Sequence, residues 1–159
     1  MTAKTTKPAA KSRKKAIAET GPAVEVITGP RVEPKRDVLN IGVIGYGYWG
    51  PNLVRNFAEL ADARVHTVAD LNPKALETVA RRFPATKVTT DAMAMIRDPE
   101  IDAVAIATPV STHFSLAMAA LRAGKHVWLE KPMTETSMQA RALIEEAQEV
   151  AEQKAEAAA

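Results

Sequence analysis

Residues 39–50, LNIGVIGYGYWG, run an apolar segment directly into three glycines at G-x-G-x-x-G spacing, and an acid, Asp70, follows twenty residues after the last of them. Few folds accommodate that combination. Gly45 lets the chain turn tightly, Gly47 lets another group approach the backbone, and Gly50 lets a helix pack closely against the strand before it. The apolar positions Leu53, Val54, Phe57 and Leu60 then recur at helical spacing, and Pro51 suits a first helical turn. The glycine spacing alone is a weak signal. Its setting, after a strand, at the start of a helix and ahead of an acid that ends the next strand, is what makes it specific.

From Val38 onward, short apolar segments alternate with helical ones, which is the rhythm of βαβ units and a parallel sheet. Strands are predicted at 38–44, 64–69, 87–89, 103–107 and 126–129. Helices are predicted after Gly50, from Pro73 (capped by Asn72) to about Phe83, over 92–97, from a cap at Ser111 or Thr112 to Gly124, and from about Ser137 onward. The expected fold class is α/β, a doubly wound parallel sheet of Rossmann type. With 159 residues there is room for one ordinary domain. It is expected over 37–150, between a basic tail at 1–36 and a short C-terminal tail at 151–159.

The formal charge of +2 conceals an asymmetry: residues 1–36 hold nine Lys or Arg against three acids, and the rest hold twelve against sixteen. The tail lacks helical or strand periodicity and is expected to be disordered, because it cannot bury enough apolar area to offset its ordering entropy. Lys11, Arg13, Lys14 and Lys15 could meet nucleic-acid phosphates, but no aromatic residue interleaves with them, so a solvated tail is the reading adopted. A basic transit peptide is the lesser alternative, disfavoured by Lys over Arg and by Pro8. No run approaches the roughly 20 apolar residues of a membrane span and no secretory start is present, so a cytoplasmic location without a membrane partner is expected. The chain has no cysteine, and His66, His113 and His126 are too scattered for a local ligand motif, so no metal site is expected.

A parallel sheet puts the carboxyl ends of all its strands on one edge, where ligands of such folds lie. The segments that follow strands therefore form the candidate site: Gly45, Tyr46, Gly47, Tyr48, Trp49 and Gly50, then Asp70, Thr108 with Pro109, and Glu130 with Lys131. Backbone at Gly47 and the following helix N-terminus suit a pyrophosphate. Asp70 suits the ribose hydroxyls and would repel a 2′-phosphate, favouring NAD over NADP. A helix-preceding acid in an ordinary turn is the alternative for Asp70. His113, in the first turn of a helix whose dipole disfavours its charged form, either contacts the cofactor or is structural. His66 and His126, inside strands, are read as packing residues. Lys131 could polarise a carbonyl or exchange a proton with a substrate hydroxyl, or it could be a surface lysine. Tyr46, Tyr48 and Trp49 either stack over cofactor or pack locally.

Three ordered motifs, IGVIGYGYWGPNLVRNF (41–57), AVAIATPVSTH (103–113) and GKHVWLEKP (124–132), resemble the N-terminal domain of the Gfo/Idh/MocA oxidoreductases over about 38–150. The resemblance implies hydride transfer between nicotinamide and a sugar or polyol carbinol carbon, with Lys131 of the Glu-Lys-Pro motif as the catalytic residue assisting proton transfer. The Gly-Tyr-Gly-Tyr-Trp-Gly-Pro-Asn run is most similar to members acting on nucleotide sugars. Members of the family continue into a second α/β domain with substrate-binding and oligomerisation surfaces, and here an alanine-rich stretch follows Val150 instead. The chain thus reads as truncated, with cofactor binding expected without sugar turnover. A redox-sensing dinucleotide module without catalysis is the alternative. An exposed last strand edge is expected to favour aggregation or a partner.

Overall fold

The computed structural model describes residues 37–157; the basic segment 1–36 that was expected to be disordered lies outside them. Five strands, β1 (Leu39–Ile44), β2 (Ala63–Ala69), β3 (Lys87–Thr89), β4 (Ala103–Ile106) and β5 (His126–Leu129), form one sheet in the order β3-β2-β1-β4-β5. Every pairing is parallel. The chain steps outward from β1 to β3, returns to lay β4 against the free edge of β1, and continues to β5. Strand order therefore reverses between β1 and β4, the point at whose carboxyl ends sheets of this kind place their ligand crevice.

Helices α1 (Gly50–Ala58) and α2 (Pro73–Arg82) cover one face, and α3 (Ala92–Arg97), α4 (Val110–Arg122) and α5 (Ser137–Ala157) cover the other. Strand residues buried on both faces explain the near-continuous apolar runs of β1 and β4. Val43, Val65 and Val68 meet Leu53 and Val54 of α1 and Leu76 and Val79 of α2. Ile44, Val104 and Ile106 meet Met95 and Ile96 of α3, Ala117 and Ala120 of α4, and Leu143 of α5. Truncating a fully buried residue such as Ile106 to Ala costs about 2–5 kcal/mol. At the opposite end of the sheet from the crevice, buried Asn40 joins three elements: its backbone N–H donates to Asp102 Oδ2 (2.8 Å), its Nδ2 to the Glu100 carbonyl (2.7 Å), and its Oδ1 accepts from Arg64.

Most element boundaries agree with the sequence reading, and the exceptions have local causes. Asn72 caps α2 through its side chain, which accepts from the Lys74 N–H (3.1 Å), and Gly124 follows the end of α4 at φ 71°. Leu60 is not on α1. The helix ends at Ala58 as Glu59 and Leu60 turn back onto Arg55, Asn56 and Phe57 carbonyls, which leaves Leu60 half exposed. Neither Ser111 nor Thr112 caps α4. Both lie inside the helix, which begins at Val110 straight after Pro109, with no side-chain cap. Finally, α5 does not stop near Val150 but carries the expected C-terminal tail as helix to Ala157. Lys154 Nζ donates to the Gly124 carbonyl (2.7 Å), and Arg122 makes a two-pronged contact with Glu146 (3.1 and 3.0 Å), so α5 is fastened to α4 and to the turn after it.

Candidate functional site

The lip at the carboxyl ends of the strands is built by four loops, and the glycine loop 45–49 is its centre. Gly45 has φ +94°, a conformation that side chains disfavour, and a Cβ there would sit 2.7 Å from the Ala107 carbonyl oxygen after β4. A Cβ on Gly50 would collide with the Gly45 carbonyl, so α1 starts closer to β1 than any other residue permits. At Gly47 the reverse holds: nothing lies within 4 Å of where a Cβ would be. The first and third glycines are thus required by the protein's own packing, whereas the second borders open space. Among the described residues no acceptor takes the N–H groups of Gly47, Tyr48 or Trp49. Open space, free N–H donors and the start of α1 together suit a phosphate.

Beside this loop, at the end of β2, stands partly buried Asp70. Its Oδ2 accepts from the Tyr46 N–H (2.6 Å) and its Oδ1 from the Asn72 N–H (2.7 Å). The carboxylate therefore ties the glycine loop to the start of α2, with lone pairs left for further donors. Leu71, exposed to 87%, projects next to it. No period or motif in the surrounding residues marks Leu71.

On the other side of the crevice, partly exposed Thr108 and exposed Pro109 follow β4, and Glu130 and exposed Lys131 follow β5. Thr112 Oγ1 lies 2.7 Å from Thr108 Oγ1 and 2.8 Å from the Pro109 carbonyl. The Glu130 N–H donates to the Ile106 carbonyl (3.1 Å), the last rung of the ladder before Lys131, and Trp128 Nε1 lies 3.4 Å from Glu130 Oε1. The Lys131–Pro132 peptide is cis.

Two residues of the expected site turn their side chains away from the surface of this lip, as the packing reading of each allowed. Tyr46 packs its ring into the core cluster that holds Val43, Val54 and Val68, with its hydroxyl buried and without a hydrogen-bond partner among the described residues, so only its backbone faces the loop. His113 is 2% exposed beneath the lip, with Nε2 2.8 Å from the Thr108 carbonyl oxygen and Nδ1 3.0 Å from that of Pro132. The other members of the aromatic trio, Tyr48 and Trp49, are exposed and meet edge-to-face at 5.4 Å. His66 is buried as expected, whereas His126 lies on the edge strand with much of its surface exposed; its ring is partly covered in the groove it shares with Lys154, where desolvation and then Lys154 lower its pKa against an opposing effect of Asp102.

A parallel sheet with this crevice and this glycine loop is matched, over residues 39–155, by the family described as oxidoreductase family, NAD-binding Rossmann fold. The chain belongs to the Gfo/Idh/MocA family. Among its relatives, scyllo-inositol 2-dehydrogenase (NADP(+)) IolW of Bacillus subtilis is 32% identical over 115 residues, covering 72% of this chain and 32% of that protein. Levoglucosan dehydrogenase of Pseudarthrobacter phenanthrenivorans is 35% identical, covering 67% of this chain and 30% of that one. Among solved structures, GenD2 from gentamicin A biosynthesis, in complex with NAD, superposes with a TM-score of 0.69 at 28% identity, over 76% of this chain and 34% of that one. Biliverdin reductase from Synechocystis sp. PCC 6803, in complex with biliverdin and NADP+, gives 0.68 at 31% identity, over 70% and 35%. This Gfo/Idh/MocA chain spans about a third of the length of the relatives it matches. Both nicotinamide cofactors occur among those relatives. Within this chain no helix of the described residues is long and apolar enough to cross a membrane.

Proposed function

We propose that the chain binds NAD along the lip of its sheet and forms the cofactor wall of an oxidoreductase acting on a sugar or polyol carbinol. The observation that carries this reading is the contrast among the three glycines: at two the protein's own backbone fills the space of a side chain, and Gly47 faces open space beside N–H groups that no acceptor among the described residues takes. A pyrophosphate there is met by Gly47–Trp49 N–H donors and by the positive end of α1. Adenosine then lies on the β2 side, with its ribose hydroxyls on Asp70 and its base against Leu71. The nicotinamide half runs the other way, over β4 and β5, past Thr108, Pro109 and Glu130 to Lys131.

The fixed charge of Asp70 supports NAD over NADP, because a 2′-phosphate would face a carboxylate already held in place by two backbone N–H groups. Bound nicotinamide supplies a hydride acceptor or donor. Lys131 exchanges the proton of the carbinol hydroxyl, and the described residues hold the cofactor against it and order the ribose and phosphates. Relatives named for inositol and levoglucosan support a sugar or polyol substrate. A nucleotide sugar is the narrower form of the proposal, supported by the exposed Tyr48–Trp49 pair, which offers a flat surface at the loop tip. The absence of cysteine is compatible with cytoplasmic work in a reducing compartment.

Calorimetric titration with NAD and NADP tests the cofactor, and an Asp70→Ser variant tests its cause: wild type prefers NAD, and the variant loses most of that preference. Equal affinity for both in the wild type overturns the assignment of Asp70. A panel of polyols, sugars and nucleotide sugars offered with NAD then separates turnover from binding alone. Tight dinucleotide binding without oxidation of any of them favours the second reading, a redox-sensing module.

A further inference from the structure

His113 sits on neither the adenosine side nor the open face of the lip, yet its ring is among the most deeply buried large side chains in the molecule. Each ring nitrogen meets a main-chain oxygen from a different loop: Nε2 lies 2.8 Å from Thr108, which follows β4, and Nδ1 lies 3.0 Å from Pro132, which follows β5. A neutral imidazole donates through one nitrogen and a protonated one through both. Two carbonyl oxygens can both accept only from a ring that carries a proton on each nitrogen, and such a ring ties together the two loops that border the nicotinamide half of the crevice; a neutral ring donates to one of them and turns a lone pair toward the other.

The Pro132 contact matters because of what surrounds it. The sheet releases the chain at Glu130, whose N–H makes the last ladder bond to Ile106. Lys131, Pro132 and Met133 are all exposed, and among the described residues the bond to His113 is the one hydrogen bond that reaches any of them. Lys131 is therefore bracketed by two fixed points, a strand end before it and a buried ring after it.

We infer that His113 is a positioning residue: by holding the Pro132 carbonyl to the Thr108 loop, it fixes where Lys131 stands over the nicotinamide half of the bound dinucleotide. The inference rests on the dinucleotide reading above and adds a role for a residue that does not touch the cofactor. A fault in the clamp disturbs one half of the cofactor site and leaves the Gly47 and Asp70 half intact.

That asymmetry supplies the test. NADH and ADP-ribose share the adenosine, the pyrophosphate and the second ribose, and only NADH carries the nicotinamide ring to the place where Lys131 stands. In His113→Ala, NADH affinity falls about tenfold, as expected for a buried hydrogen bond lost, while ADP-ribose affinity changes less than about twofold. The amide nitrogen of His113→Asn takes the place of Nδ1 and restores most of the NADH affinity. That of His113→Gln takes the place of Nε2, keeps only the Thr108 contact, and does not. A structural role alone would weaken both ligands together and would not order Asn above Gln. Where a variant fails to fold, the wild-type protein provides the readout: the His113 ring resonances move when NADH is added and stay put with ADP-ribose. Equal loss of both ligands, no loss of either, or ring resonances indifferent to NADH overturns the positioning role. Wild-type protein that binds neither ligand instead overturns the dinucleotide reading itself, and this inference with it.

Discussion

At the scale of single residues, the three glycines make separable predictions because their surroundings differ. Gly50→Ala forces a Cβ into the Gly45 carbonyl and should cost about 1–3 kcal/mol of stability, measured by urea unfolding. Gly47→Ala should leave stability within about 0.5 kcal/mol. It should nonetheless weaken NAD binding about tenfold or more by occupying the phosphate space. The opposite pattern, a stable Gly50 variant and an unstable Gly47 variant, would contradict the division of roles. His126 gives a second residue-scale prediction. Its folded pKa lies below the usual 6.5, chiefly through desolvation. The unfolded chain therefore takes up the proton first as pH falls through that value, and stability drops. Wild type should lose more stability than His126→Gln between neutral pH and pH about 5. Parallel curves for the two would remove His126 as a cause.

Which residues mattered was only partly legible in the sequence. Gly45 and Gly50 could be picked out because the tight turn and close packing seen at them depend on backbone conformation and spacing, which a short segment encodes, and Gly47 and Asp70 belong to the same spacing. Tyr46 and His113 could not be sorted from their neighbours, since whether a side chain points into a crevice or a core depends on elements far along the chain. For His113 the deciding partners are Thr108, five residues before it, and Pro132, nineteen after. Leu71 carries no local pattern at all.

At the scale of elements, five strands were recoverable because burial on both faces writes apolar runs between turn residues. Helix ends were less so. Pro109 starts α4 without the polar cap that Ser111 or Thr112 suggested, and alanine-rich residues after Val150 read as a tail although they are good helix formers. The docking of α5 supports that last segment. Its apolar positions Ile144 and Val150 line a groove of about 400 Å³ with Leu121 and Leu129, and Lys154 reaches Gly124. Replacing Lys154 by Ala should lower stability by about 0.5–1.5 kcal/mol. The same change should also raise the pKa of His126, which Lys154 lowers. Loss of residues 151–159 with no change in unfolding midpoint would show that the last turns of α5 contribute nothing.

For the whole molecule, the sheet order leaves β5 at one edge, with Trp128 56% exposed and the apolar groove alongside. An open edge next to apolar surface favours association, so sedimentation should show weight-average mass rising with concentration, and Trp128→Lys should reduce the effect. A monomer at all concentrations would contradict it.

The central claim is that loops after β1, β2, β4 and β5 converge on one extended cofactor. Backbone amide resonances followed during titration with NAD test it most directly. The account predicts that Gly47, Tyr48, Trp49, Asp70, Thr108 and Lys131 shift together along one saturation curve, while Asn40 and Arg64 at the far end of the sheet do not move. Shifts confined to one loop, scattered over the surface, or absent at millimolar NAD would contradict it.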